Sequence, residues 1–367
     1  MALIKDIYSR SFYKEFGGTV KKVLPAFDET LFIKKIYSAE FAGMEWKQRM
    51  NHTAVVLHQF LPEAPTAAAQ VLRKIITRLR KERGREGGLE HIFLAEYIPR
   101  FMLDDYKTGI DTLEFVTQFI SCEFAVRAFL TKYGDRMYKQ MLSWSLHKSD
   151  AVRRLSTEGF RPRLPWGLSV PGLKADPSPV LPVLENLKAD PSESVRRSVA
   201  NNLNDIAKDH PALVLEIAGR WKGASPETDV IIRHGSRTLL KQGHAEILGF
   251  FGLSSKNLSV GNLTVLTPKV SIGEYLRFSF ELKNDHVSAM MVRVEYGIYY
   301  LKSNGQQARK VFKVSEKSYA GKSTTTIQRQ QSFKLITTRV FYPGKHGLSI
   351  IINGEEKARG EFVLLSS

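Results

Sequence analysis

Residues 149–160 read SDAVRRLSTEGF and residues 192–203 read SESVRRSVANNL: in both, a polar helix start is followed by paired arginines and then by an apolar stripe. A looser copy, DVIIRHGSRTLL, occupies 229–240. Arg153 and Arg196 stand 43 residues apart, and Arg196 and Arg233 stand 37 apart. A period near 40 residues is that of a stacked helix-pair unit, which cannot bury its own apolar face and must lay it against a neighbour. Leu155, then Val199 and Leu203, then Leu239 and Leu240 fill that role here. The registered pairs Arg153/Arg154, Arg196/Arg197 and Arg233/His234 are therefore expected to recur on one surface of the stack.

Upstream of these units, MEWKQRMNHTAVVLHQFLP, TAAAQVLRKIITRLRKERG and TLEFVTQFISCEFAVRAFLTKYG place apolar residues at spacings of three and four, as does ALVLEIAGRWKG among them. Each ends near Gly or Pro. Past FFGLSSKNLSVGN, about 251–262, the texture changes to short β-branched or alternating runs, and LKSNGQQ and IINGEE carry Asn-Gly hairpin cues. The Tyr342-Pro343-Gly344 turn fits a strand-edge corner without deciding the fold. The expected fold class is multidomain, α then β. A HEAT-like α-solenoid over 1–255 is followed by a linker over 256–262 and an immunoglobulin-like β-sandwich of about seven strands over 263–367.

Composition narrows the partners. The chain is 43% hydrophobic, enough for substantial cores, and its formal charge of +17 points to polyanions or anionic surfaces. Residues 259–367 hold +8 of that charge and the rest +9, so no basic tail accounts for it. A single cysteine, Cys122, excludes an intramolecular disulfide and cysteine-rich metal sites. It reads as a small apolar residue on a helix. MALIKDIYSRSFYKEF has no signal-type apolar run, and no stretch approaches a membrane span, so a soluble, cytoplasmic protein is expected.

No P-loop, dinucleotide-binding, zinc-protease or serine-hydrolase motif is present. His52 and His58, six apart, do not share a helix face as a pair of metal ligands would, and neither a metal nor a cofactor is expected. What remains is acids among basic repeats. Glu158 follows Arg154 by four residues and Glu123 precedes Arg127 by four, so each reads equally as an intrahelical ion pair. Asp205 reads equally as a helix-end polar contact. Trp166 follows Arg161-Pro162-Arg163 and Pro165, which puts it on a stiff connection where it either stacks on a base or sugar or plugs the joint between repeats.

At VRRLSTEGFRPRLPWG and SVRRSVANNLNDIAKDHP the chain resembles the AlkC branch of the HEAT-like alkylpurine DNA glycosylases, the superfamily that also holds AlkD. The likeness covers nearly the whole helical half, and the β-rich end resembles the immunoglobulin-like extension of some AlkC proteins. It implies excision of cationic alkylated bases, with 3-methyladenine, 3-methylcytosine and 1-methyladenine as candidates. It also implies base excision repair on double-stranded DNA by a monofunctional, monomeric enzyme that does not bury the base in a pocket. The family motifs put catalysis on Glu123, Glu158, Trp166 and Asp205. Phosphate contacts are expected from Arg153, Arg154, Arg161, Arg163, Arg196, Arg197, Arg233 and Arg237. The rival expectations are a non-catalytic HEAT-repeat protein that binds bent or damaged DNA, and a protein-binding scaffold.

Overall fold

The computed structural model describes residues 3–84, 86–336 and 339–366. The chain divides into two compact units, Met1–Gly235 and Ser236–Ser367. Short 3₁₀ turns aside, the first unit is built of helices. The first seven are α1 (Arg10–Val23), α2 (Glu29–Ile36), α3 (Trp46–His58), α4 (Pro65–Arg83), α5 (Phe93–Phe101), α6 (Tyr106–Thr117) and α7 (Val126–Tyr133). There follow α8 (Asp135–Trp144), α9 (Asp150–Glu158), α10 (Gly172–Ala175), α11 (Leu181–Leu187), α12 (Glu193–Ile206), α13 (Pro211–Trp221) and α14 (Pro226–Gly235). Their starts carry the expected chemistry. Ser9, Asp28 and Asp105 accept backbone N–H groups at the heads of α1, α2 and α6, and Pro65 and Pro211 open α4 and α13 without needing a donor.

The run TLEFVTQFISCEFAVRAFLTKYG is not one helix. It breaks between Thr117 and Val126, where the Phe119 carbonyl accepts from Gly87 N (2.8 Å) and Cys122 N turns back to Thr117 Oγ1 (3.5 Å). Cys122 is fully buried, but in this turn and not on a helix.

The recurring units stack as the period requires, with α9 against α12 and α12 against α14. The first arginine of each pair serves the stack itself. Arg153 Nη1 donates to the carbonyls of His147 (2.9 Å) and Lys148 (3.0 Å), six and five residues upstream. Arg196 Nη1 does the same to Asp190 (2.7 Å) and Pro191 (2.9 Å). Arg153 also grips the Asp190 carboxylate bidentately, at 2.6 and 3.0 Å. Both arginines fasten the turns that lead into their own helices. For Arg153 this corrects its expected place among phosphate contacts, because Nε and both terminal nitrogens already have protein acceptors, whereas Arg196 bonds through Nη1 alone and stays a candidate for a phosphate. The third copy differs again, because the chain breaks at Ser236 and Arg237 opens a new helix in the second unit.

The second unit begins with α15 (Arg237–Gln242) and α16 (Ala245–Phe250) and continues as eight strands. A three-stranded sheet has the order β1 (Leu258–Val265), β3 (Tyr275–Asn284), β6 (Ser323–Ser332). A five-stranded sheet has the order β2 (Lys269–Ser271), β8 (Glu355–Leu365), β7 (Gly344–Ile352), β4 (Met290–Leu301), β5 (Gln307–Tyr319). Leu276, Phe278, Phe280 and Leu282 alternate inward along β3 and meet Val292, Val294, Ile298, Leu348, Ile350 and Phe362 in one core. Both Asn-Gly hairpins are present. In the second, Asn353 (φ +46°) and Gly354 (φ +81°) form the two-residue loop between Ile352 and Glu355, the left-handed pair of corners that this dipeptide tolerates. The expected linker over 256–262 is largely strand, since β1 pairs with β3 from Leu258 onward.

Arg153→Ala leaves the buried Asp190 carboxylate without its guanidinium, and a loss of about 3 kcal/mol is expected. Arg196→Ala removes two neutral-acceptor hydrogen bonds and is expected to lose about 1–2 kcal/mol, while the exposed Arg197→Ala loses less than about 0.5 kcal/mol. Denaturant unfolding followed by helical circular dichroism ranks the three. Equal losses at 196 and 197 would mean that the carbonyl fastening contributes nothing.

Candidate active site

Helix α9 ends on Glu158, and the chain then turns through GFRPRLPWG while α12 runs alongside. Glu158 Oε1 accepts from Arg161 Nη1 (2.6 Å), and Oε2 accepts from Ser198 Oγ (2.5 Å). Arg161 Nε donates to Asp205 Oδ2 (2.8 Å), and Lys208 Nζ donates to Asp205 Oδ1 (2.9 Å). Glu158, Arg161 and Asp205 are 6%, 7% and 1% exposed, a burial that ions withstand only when each has a partner. Burial alone would lower the Arg161 pKa, but the Asp205 and Glu158 carboxylates raise it. The formal charges of Glu158, Asp205, Arg161 and Lys208 cancel. What this cluster offers a ligand is therefore the local direction of its carboxylate oxygens, not a net negative field.

The cluster corrects two expectations. Arg161 is spent between two acids and does not reach out for a phosphate. The intrahelical pairs read from four-residue spacings are also exchanged for longer-range ones. Glu158 pairs with Arg161, and Arg154 crosses to Glu123 Oε2 (3.0 Å) and to Ser121 Oγ (3.1 Å). Glu123 itself sits in the turn before α7, half-buried, with Ser121 Oγ also donating to it (2.9 Å). Because Arg154 lies one turn before Glu158 on the same face of α9, the Glu123 side chain is tethered to the helix that carries Glu158.

Arg127, released from its expected pairing with Glu123, is a residue that the sequence reading missed. It is 1% exposed. Its Nη1 donates to the carbonyls of Gly159 (2.9 Å) and Arg161 (2.8 Å), and its Nε donates to that of Leu168, so one guanidinium ties both ends of the loop. Burial, with Arg161 nearby, pulls its pKa down to about 10. The signal was a lone arginine inside the apolar run FAVRAFL.

The loop closes with a turn in which Gly167 N donates to Leu164 O (3.1 Å). Pro165 takes the first corner. Trp166 takes the second with φ +61°, a corner that favours Gly or Asn, and a left-handed tryptophan costs about 1–2 kcal/mol. A Cβ on Gly167 would meet Leu164 Cδ2 at 2.8 Å and Arg127 Cδ at 3.0 Å, so the loop closes this tightly only without one. Trp166 is 67% exposed, with its ring 5.8 Å from that of Trp46, so it does not plug the joint between repeats. A cavity of about 370 Å³ lies beside it, walled by Trp166, Phe124, Met50 and Pro99 with Lys47 and Glu96. Burial raises the Glu96 pKa, with Arg100 and Lys47 opposing.

Of the other expected phosphate contacts, Arg163 holds Asp209 bidentately (2.9 and 2.6 Å) and keeps its carboxyl below the usual range. Arg197 is exposed and pairs with Glu193 (2.6 Å). Exposed pairs of this kind are weak and exchange readily for another anion. Arg233 is half-buried on α14, and Arg237 lies in the second unit. Among the described residues no group of His, Cys, Asp and Glu could hold a metal ion, and no helix is long and apolar enough to cross a membrane.

Residues 259–366 match the family model described as the C-terminal Ig-like domain of the uncharacterised protein YhaZ. Over 363 residues, 99% of each chain, the sequence is 41% identical to the uncharacterized protein YhaZ of Bacillus subtilis (strain 168). The fold is similar to that of the Pseudomonas fluorescens alkylpurine DNA glycosylase AlkC bound to DNA containing an abasic site analog. The TM-score is 0.93 and the identity 35%, covering 99% of this chain and 100% of that one.

Trp166→Asn relieves the left-handed backbone at little cost in burial, and folding stability is expected to hold or to rise by up to about 1 kcal/mol. A clear loss in denaturant unfolding would mean that the ring contact with Trp46 outweighs the strain.

Proposed function

Since the chain belongs to the family that includes YhaZ and the alkylpurine DNA glycosylase AlkC, we propose that it hydrolyses the N-glycosidic bond of cationic alkylated bases in double-stranded DNA. The candidate bases are 3-methyladenine, 3-methylcytosine and 1-methyladenine. The reading brings with it a monomeric, cytoplasmic repair enzyme, associated with the nucleoid when bound to DNA, that needs no cofactor. It is read as monofunctional: the stretch Arg153–Gly167 offers no lysine for a Schiff base, and two lysines near it, Lys47 and Lys208, are held by the Trp166 carbonyl and by Asp205.

The observation that carries the reading is the Glu158–Arg161–Asp205 bridge, with Trp166 presented on the loop that starts from it. An N-alkylated base already bears positive charge and leaves with little acid assistance. As the bond breaks, the charge passes to the deoxyribose, and carboxylate oxygens placed near C1′ stabilise it. Glu158, oriented by Arg161 and Ser198, and Glu123, oriented by Ser121 and Arg154, take that task and position the water. Asp205 acts through Arg161, whose direction it fixes. The exposed Trp166 packs on the sugar, its π-face toward the developing cation. The base need not be buried, because the acids address the sugar and not the base edge. Arg154, Arg163, Arg196, Arg197 and Arg233 grip the backbone, and the basic sandwich enlarges that footprint.

Single-turnover release of 3-methyladenine and 3-methylcytosine from alkylated duplex DNA tests the reading. The wild type should release base, and Glu158→Gln should be slower by about a hundredfold with DNA affinity and melting temperature nearly kept. Salt-dependent binding without release of base by either protein would support a non-catalytic DNA-binding solenoid, in which the ion-paired acids are purely structural.

The logarithmic salt dependence of DNA affinity separates the arginines. Arg197→Ala should lower its slope by about 1, and Arg153→Ala should leave it unchanged. A lowered slope for Arg153→Ala would return that residue to the phosphate contacts.

A further inference from the structure

Trp166 occupies a strained corner of an exposed turn, yet its presentation is fixed from a separate element. Lys47 is the second residue of α3, more than a hundred residues away in sequence, and its Nζ donates to the Trp166 carbonyl. The same ammonium lies 4.9 Å from the centre of the Phe124 ring, the residue next to Glu123. Its neighbour Trp46, 7% exposed, sets its own ring 5.8 Å from that of Trp166 at a tilt of 55°. Two consecutive residues of one rigid helix thus hold the peptide and the ring of the tryptophan, and the cation joins the Trp166 turn to the Glu123 turn. Arg127 anchors the loop on either side of residue 166, its hydrogen bonds going to the Gly159, Arg161 and Leu168 carbonyls and not to that of Trp166.

We propose that Lys47 is a positioning residue: its ammonium, fixed over Phe124, pins the Trp166 carbonyl and so holds the indole in its left-handed presentation beside Glu123. Lys47 itself meets neither sugar nor base. The catalytic consequence rests on the glycosylase reading above, and the conformational consequence does not.

Lys47→Met keeps the aliphatic stem and removes the donor. In single-turnover excision it should slow base release by about tenfold with DNA affinity within about twofold of wild type, and Lys47→Arg should restore most of the rate. In a double-mutant cycle with Trp166→Ala, the Lys47→Met effect should vanish, because a residue acting through the tryptophan has nothing to act on once the tryptophan is gone. Additive effects, an unchanged rate, or a loss of affinity and salt slope with the excision rate intact would each overturn the proposal, the last by making Lys47 a phosphate contact.

A second measurement needs no activity. Adjacent Trp46 and Trp166 indoles should give an exciton-coupled circular dichroism signal, lost in Trp166→Phe and weakened in Lys47→Met. An unaltered couplet in Lys47→Met overturns the positioning role even if the wild type excises base. A weakened couplet in a protein that releases no base upholds the positioning role while the glycosylase reading falls.

Discussion

Arg161 donates to Glu158 with one edge of its guanidinium and to Asp205 with another, at a depth where removing one partner leaves a buried charge uncompensated. That bridge runs from the end of α9 to α12 and fixes where the chain leaves α9, and so where the turn that carries Trp166 begins. The roles proposed for Glu158 and Asp205 follow from its geometry. The acids are oriented because the cation is shared, and their net field is small because the cation is there. The arrangement suits a leaving group that brings its own positive charge, since the protein then has little charge to supply and much orientation to provide.

Much of the fold was legible. Helical periodicity marked the first half, the change of texture near residue 255 marked the second, and Asn304-Gly305 and Asn353-Gly354 both turn hairpins, because these signals are local and the physics they report is local. What the sequence did not show is that the two helices ahead of the strands belong to the second compact unit. Helices α15 and α16 look like the solenoid in composition but pack with the strands, and periodicity says which face is apolar without saying what covers it. The break after Thr117 was hidden for a related reason: no Gly or Pro marks it, and a bond from Gly87, more than thirty residues upstream, holds it.

The candidate site shows the same division. Glu123, Glu158, Asp205 and Trp166 could be singled out from motif and resemblance, and the structure joins them through Arg161, Arg154 and the Trp166 turn. The arginines were read in the wrong sense where their acceptors are distant. A spacing of four suggests an ion pair worth a few tenths of a kcal/mol, and a buried carboxylate elsewhere easily outbids it. Asp190 draws Arg153, Asp205 draws Arg161, and Arg127 goes to three carbonyls with no acid at all. A stripe of like charges in sequence thus lost Arg153 and Arg161 to internal scaffolding, with Arg154, Arg163, Arg196, Arg197 and Arg233 left as candidates for the surface role.

The two kinds of bond made by Arg153 have different histories open to them. Its carbonyl acceptors lie six and five residues upstream, within its own unit, and Arg196 repeats the same offsets. A segment duplicated by unequal recombination would carry that fastening complete, wherever in the array it landed. The grip on Asp190 is of the other kind: it spans a junction, and in the preceding unit a histidine, His147, takes the place of the aspartate in the same backbone turn. The fastening within a unit is thus set by local sequence alone, whereas the bond across a junction depends on a residue that the next unit must supply.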